Sequence, residues 1–162
     1  MINIYLAHYN SLDFDIQFEN VKYFIPDSKI YITIDSDNQA LYDQMNQKAI
    51  DIGAIPILMP FPRLRTTVHY SEASMSFGLS FNYVYQNYII KDEDFSIFIE
   101  NDVFFINDFK IDDYEEYEIA ANIRFDSKAP FKFYQTWLGF IIFNNKRMSN
   151  RELFNGAQDV ID

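Results

Sequence analysis

Short apolar runs separated by polar clusters recur along the chain, and their spacing alternates between two periods. Ile2–Ala7 reads as a first strand, closed by the polar turn His8-Tyr9-Asn10-Ser11. Leu12, Ile16 and Tyr23 are expected to line one side of a short helix. Lys29–Ile34 alternates as a second strand and ends at Asp35-Ser36-Asp37-Asn38, a cluster suited to a turn and a helix N-cap. Leu41, Met45, Ala49 and Ile52 then follow at helical spacing until Gly53 stops the helix. Ala54–Met59 is a third strand, and Pro56 puts it at an edge or in a bulge. Pro60-Phe61-Pro62 opens a loop to about Val68, after which Ser71–Ile90 is apolar on nearly every side and predicts a buried helix. Phe95–Ile99, Tyr117–Ile123 and Gly139–Phe143 are further strands, and Ser149 with Glu152 has capping-box spacing for a last short helix. Strands alternating with helices predict an α/β protein: a mainly parallel sheet flanked by helices, with residues 1–162 forming a single domain.

One of these runs breaks the pattern. The strand Phe95–Ile99 runs into Glu100-Asn101-Asp102 before apolar residues resume at Val103. A carboxylate leaving the core must be solvated, paired or bound to a metal. In open α/β sheets ligands bind at the carboxyl ends of the strands. Two hard oxygen ligands placed there suit a divalent cation that holds a phosphate. The plainer alternative is that Glu100 and Asp102 solvate a strand end or cap a turn.

Composition narrows the choice. The 162 residues are 49% hydrophobic and 19% aromatic, with seventeen Phe and twelve Tyr against one Trp, enough for a substantial core in which rings pack on rings. A formal net charge of −11 disfavours nucleic acid and anionic membrane surfaces, and makes an anionic substrate awkward unless a cation intervenes. There is no Cys, hence no disulfide and no thiolate metal site. No run approaches the roughly 18 apolar residues of a membrane span, and the N-terminus lacks a signal-peptide pattern, so a soluble cytoplasmic protein is expected. No Gly-rich loop of the G-x-x-x-x-G-K type is present, which disfavours a nucleotidyltransferase.

A strand ending in an Asp-x-Asp-like motif, here Glu100-Asn101-Asp102, resembles the metal site of nucleotide-sugar glycosyltransferases of the GT-A fold. The resemblance runs from the first strand to Trp137-Leu138-Gly139. It implies that Asp102 binds Mn²⁺ or Mg²⁺, which bridges the two phosphates of a UDP- or GDP-sugar. Glu100 would then face the ribose, the sugar or a metal-bound water, with one methylene more than the family's usual Asp.

The resemblance also implies roles for other residues. Tyr9 would stack on the nucleotide base with Asn10 at its edge, unless this is simply a turn with an exposed Tyr. Asp35 and Asp37 would contact base or ribose, although Asp37 and Asn38 are also good helix caps. Arg63 and Arg65 suit a diphosphate, or equally acidic neighbours. The family's Arg-Asn-x-Gly segment reads Met75-Ser76-Phe77-Gly78 here, so only the glycine matches; His69 and Ser71 would substitute for the missing groups, unless His69 is simply a structural residue at a helix start. Trp137 and Gly139 would line the space beside the transferred sugar, Trp137 being equally a core residue. Many inverting members use an acidic general base beyond the acceptor strand. The candidates are Glu152, Asp159 and Asp162, the last two also serving as a second metal ligand or neither. Asp92-Glu93-Asp94 and the acidic residues between Asp112 and Glu116 are read as solvated faces. The function expected is metal-dependent sugar transfer to a glycan or other acceptor. The alternative is a catalytically inactive sugar- or nucleotide-binding, or interaction, domain that keeps the fold.

Overall fold

The computed structural model describes residues 1–60, 72–126 and 133–154. Among them, strands β1 (Ile2–Tyr9), β2 (Lys29–Asp35), β3 (Ile55–Leu58), β4 (Phe95–Glu100), β5 (Ile119–Asp126) and β6 (Phe133–Asn144) form one sheet in the order β3-β2-β1-β4-β6-β5. The pairings β3–β2, β2–β1 and β1–β4 are parallel, while β6 and β5 add on antiparallel. Helices α1 (Phe14–Phe24) and α2 (Gln39–Asp51) connect the first three strands, and α3 (Glu72–Asn87) precedes β4. This is the expected α/β architecture, with an antiparallel pair closing one side of a parallel sheet.

Strand alternation separates two cores. Ile4 and Leu6 of β1 pack with Phe14, Phe18 and Val21 of α1 and Met45 and Ala49 of α2. Tyr5 and Ala7 face the other way, toward Phe81, Val84 and Tyr85 of α3. The second core is built from rings: Phe81 meets Phe98 edge-on with centroids 4.8 Å apart, and Tyr85 lies 5.3 Å from Phe143. That geometry accounts for the high Phe and Tyr content, since edge-to-face pairs gain beyond their burial.

Local signals explain the ends of elements. Asn38 caps α2, its side-chain oxygen accepting from the Leu41 amide, and Gly53 takes the left-handed conformation (φ 84°) just beyond the helix. Pro56 sits in β3, which is an edge strand paired only to β2, where a missing N–H costs little.

Three expectations need correction. The buried face of α1 is Phe14, Gln17, Phe18 and Val21, whereas Ile16 is 66% and Tyr23 80% exposed. The proposed stripe followed i, i+4, i+11 spacing, but the sheet takes the face carrying the larger Phe pair. The capping box is absent: Arg151–Leu153 is a single 3-10 turn preceded by Asn150, with no side-chain cap. Asp92 is not a solvated acid. Its carboxylate accepts from Asn3 Nδ2, Tyr5 Oη and Ser96 Oγ, at the end of the sheet opposite the carboxyl ends of β1 and β4. Burial and this carboxylate together hold the Tyr5 hydroxyl far above the usual phenol range. Arg151 extends the cluster by donating to the carbonyls of Ile90, Asp92 and Asn145, which pins the chain after β6 to the base of β4.

Replacing Phe81 by Ala should destabilise the fold by about 3–5 kcal/mol, because the ring touches Phe98, Tyr85 and Phe143 and its loss leaves a cavity. Urea denaturation of wild type and variant measures this.

Candidate functional site

β1 has a parallel partner on each side, in a register that pairs Tyr9 with Asp35 and Ala7 with Glu100. The chain leaves β1 toward β2 and β3, then crosses to β4 on the far side, so the strand order reverses between β1 and β4. A reversal of this kind opens a crevice at the carboxyl ends of the strands. Tyr9, Asp35 and Glu100 therefore come to one end of the sheet. Since Tyr5, Ala7 and Phe98 point into the α3 core, alternation sends Tyr9 and Glu100 to that same face.

The side chains differ sharply in burial. Asp35 is 4% exposed and accepts a hydrogen bond from Ser80 Oγ of α3 at 3.0 Å, while Tyr9 is 41% exposed. Glu100 is half-buried and Asp102 exposed, on a turn closed by the Val103 amide donating to the Glu100 carbonyl. The Glu100 carboxyl titrates above its ordinary value, first because burial disfavours its charge and second because the Asp102 carboxylate repels it.

The loops after β1 and β2 are laced together. Asn10 adopts a left-handed conformation (φ 47°), which Asn tolerates better than most residues, and its amide donates to the Asp35 carbonyl. Its side-chain oxygen accepts from Ser36 Oγ and the Asp37 amide, and its Nδ2 donates to Asp37 Oδ1 at 2.9 Å. Asn10 and Asp37 thus hold each other at the carboxyl end of the sheet.

Gly139 is buried on β6, next to Phe140, which pairs with Ile99. The β5–β6 register slips between Ala121 and Asn122: Ala121 pairs with Ile141, but Asn122 pairs with Trp137. Leu138, Gly139 and Phe140 bulge out of that ladder beside the end of β4, and bulges of this kind are over-represented next to active sites. Gly78 is buried in α3. Arg63, Arg65, His69, Ser71, Asp159 and Asp162 lie outside the described residues, and Glu152 is exposed in the 3-10 turn.

Gln17 has no role in the sequence reading, and His8, expected there in a polar turn, is instead a buried residue of β1. Gln17 is 1% exposed on the apolar face of α1, and its Nε2 donates to the carbonyls of Glu100 (2.7 Å) and Val103 (2.8 Å). Both carbonyls only accept, so the amide NH₂ must face them and Oε1 must face His8. His8 Nε2 lies 2.8 Å from that oxygen and therefore carries the proton. Its Nδ1 finds no partner among the described residues, and burial lowers the imidazole's pKa, so His8 is neutral. A glutamine between Phe14 and Phe18 on an apolar stripe was the available signal, hidden by assigning the stripe to Leu12, Ile16 and Tyr23.

The donor set fits a cation shared with a substrate better than a resident one. Among the described residues no group of three His, Cys, Asp or Glu side chains converges. The Glu100 carboxyl, whose charge burial and the neighbouring Asp102 disfavour, would gain from a cation, and Mg²⁺-like ions are commonly held by one or two carboxylates plus phosphate oxygens and water.

No protein-family model and no curated protein matches this chain. Solved structures do. The fold is that of GT-A-like glycosyltransferases. The galactosyltransferase LgtC, in complex with donor and acceptor sugar analogs, superposes with a TM-score of 0.53 at 13% identity, covering 89% of this chain and 58% of LgtC. An active-site mutant of LgtC gives 0.54 at 12% identity, covering 91% of this chain and 60% of the other. This chain therefore spans about three fifths of the length of the enzymes it matches.

Two titrations test the site's electrostatics. Replacing Asp102 by Asn should bring the Glu100 pKa down toward its ordinary value without restoring it fully, since burial is the larger cause; carbon-detected NMR of the side-chain carboxyl reads this. His8 has a folded-state pKa below its unfolded value, so the stability it confers is complete above about pH 6.5 and is lost as pH falls toward the lowered value. The stability gap between wild type and His8→Asn should accordingly narrow on acidification.

Proposed function

We propose that this chain binds a nucleoside-diphosphate sugar through a divalent cation held at Asp102 and Glu100, and transfers the sugar to a glycan or other acceptor. One observation carries the reading: a half-buried Glu100 and an exposed Asp102 on one turn at the carboxyl end of β4, beside the strand-order reversal. The likeness in fold to a galactosyltransferase solved with donor and acceptor sugar analogs supports it.

The roles divide along the crevice. Tyr9 offers a ring to the nucleotide base, and Asp35, fixed by Ser80, offers a carboxylate to the nucleoside. Asn10 and Asp37 shape the mouth through their mutual hydrogen bonds. Asp102 and Glu100 would hold Mn²⁺ or Mg²⁺, which when bound supplies positive charge to a diphosphate leaving group. Arg63 and Arg65 are assigned to the same phosphates, Trp137 and Gly139 to the sugar and acceptor side, and Asp159 or Asp162 to the general base. The Cys-free composition fits a reducing, cytoplasmic setting. Among the described residues no helix is long and apolar enough to cross a membrane.

Calorimetric titration with UDP- and GDP-sugars, with and without Mn²⁺, tests the reading. Wild type should bind one of them only in the presence of metal, and Asp102→Ala should lose that binding while its thermal unfolding temperature stays close to wild type. Equal affinity in the variant removes Asp102 from the site. Metal-dependent binding with neither hydrolysis nor transfer would instead identify an inactive binding domain.

A further inference from the structure

We infer that Gln17 is a positioning residue for the acidic turn, and that α1 thereby presets the Glu100–Asp102 pair for its ligand. The inference rests on the donor-site reading above. Two observations support it, and a third supplies a control. The Gln17 amide reaches the carbonyls at both ends of the turn, 100 and 103, so the residues bearing the carboxylates lie between two fixed points. The amide cannot rotate without losing His8, whose buried ring is itself packed edge-on against Phe14, centroids 5.5 Å apart. One helical turn further on, Asn20 donates to the Phe105 carbonyl and accepts from the Phe105 amide at 2.9 Å each, which ties down the segment leaving the turn.

The physical argument is one of preorganisation. Glu100 and Asp102 sit on one turn closed by the Val103 amide on the Glu100 carbonyl, and a turn without further restraint would have to be ordered by the ligand itself. Hydrogen bonds on the backbone hold the turn closed without neutralising either carboxylate. The backbone bearing the two acidic side chains is therefore already set when a cation arrives, and the cost of ordering it is met during folding. Partners of this indirect kind typically alter metal affinity by about 10–100-fold. Asn20 supplies an internal control, because it fixes Phe105, beyond the acidic pair, with the same kind of amide.

The test uses the full chain and two readouts. Hydrogen exchange of the free protein follows the amides from Asn101 to Phe105, and Mn²⁺ is titrated calorimetrically, alone and with UDP. In Gln17→Leu, exchange at Asn101–Val103 should rise at least about tenfold while the β1 and β4 amides stay protected. Mn²⁺–UDP affinity should fall by about tenfold or more. Gln17→Glu, which keeps an acceptor for His8 but loses the two donors, should behave the same way and serves if the leucine variant does not fold. Asn20→Leu should speed exchange at Phe105 with less than about a threefold change in affinity. Faster exchange with unchanged Mn²⁺–UDP affinity in the Gln17 variants, or weaker binding with unchanged exchange, overturns the inference. So does an Asn20 variant that weakens binding as much as Gln17→Leu. Wild-type protein that binds neither Mn²⁺ nor Mn²⁺–UDP overturns the donor-site reading, and the positioning role falls with it. Failure of the inference alone appears as tight wild-type binding that the Gln17 variants retain.

Discussion

β1 is paired in parallel on both edges, to β2 through Asn3–Tyr9 and to β4 through Ile2–Ala7, and everything at the candidate site follows from that double pairing. Parallel neighbours end on the same side of the sheet. Three loops of opposite connectivity therefore open together: the one after β1 carrying Tyr9 and Asn10, the one after β2 carrying Asp35 and Asp37, and the turn after β4 carrying Glu100 and Asp102. Residues that are 65 positions apart in the chain, such as Asp35 and Glu100, are brought to one edge without any direct bond between them.

The two ends of the sheet use their polar groups differently. At the amino end of β4, Asp92 is saturated by Asn3, Tyr5 and Ser96, and Arg151 binds backbone carbonyls, which gives a closed network that fastens the strand connections. At the carboxyl end, burial and the neighbouring Asp102 both disfavour the charge of Glu100. Natural folds place such locally unfavourable charge where a ligand compensates for it. The contrast within one small sheet does not come from burial, since Asp92 and Glu100 are both half-buried.

Much of this was legible in the sequence, for stated reasons. β1, β2 and β4 are dense in Ile and bounded by polar clusters, and Asn38 and Gly53 mark the ends of α2, so order and type of elements followed from period and caps. Pro56 correctly placed β3 at an edge. The face of α1 was not legible, because both candidate stripes contain apolar residues and only the sheet decides between Ile16 and Phe18. That error concealed Gln17, whose role depends on a contact across 83 positions to Glu100. Asp92 was misread for the same reason: a run of three acids looks solvated until tertiary structure brings Asn3, Tyr5 and Ser96 to one of them. The bulge at Leu138–Phe140 leaves no local trace beyond a glycine.

The account stands on the claim that Glu100 and Asp102 share a cation with a diphosphate in the crevice between β1 and β4. The most direct measurement is a crystal structure of the protein grown with Mn²⁺ and UDP, with anomalous data collected to locate the manganese. The account predicts one anomalous peak within bonding distance of an Asp102 oxygen and of both phosphates, with the uracil ring against Tyr9. A nucleotide bound elsewhere, or manganese that leaves both carboxylates untouched, would contradict it.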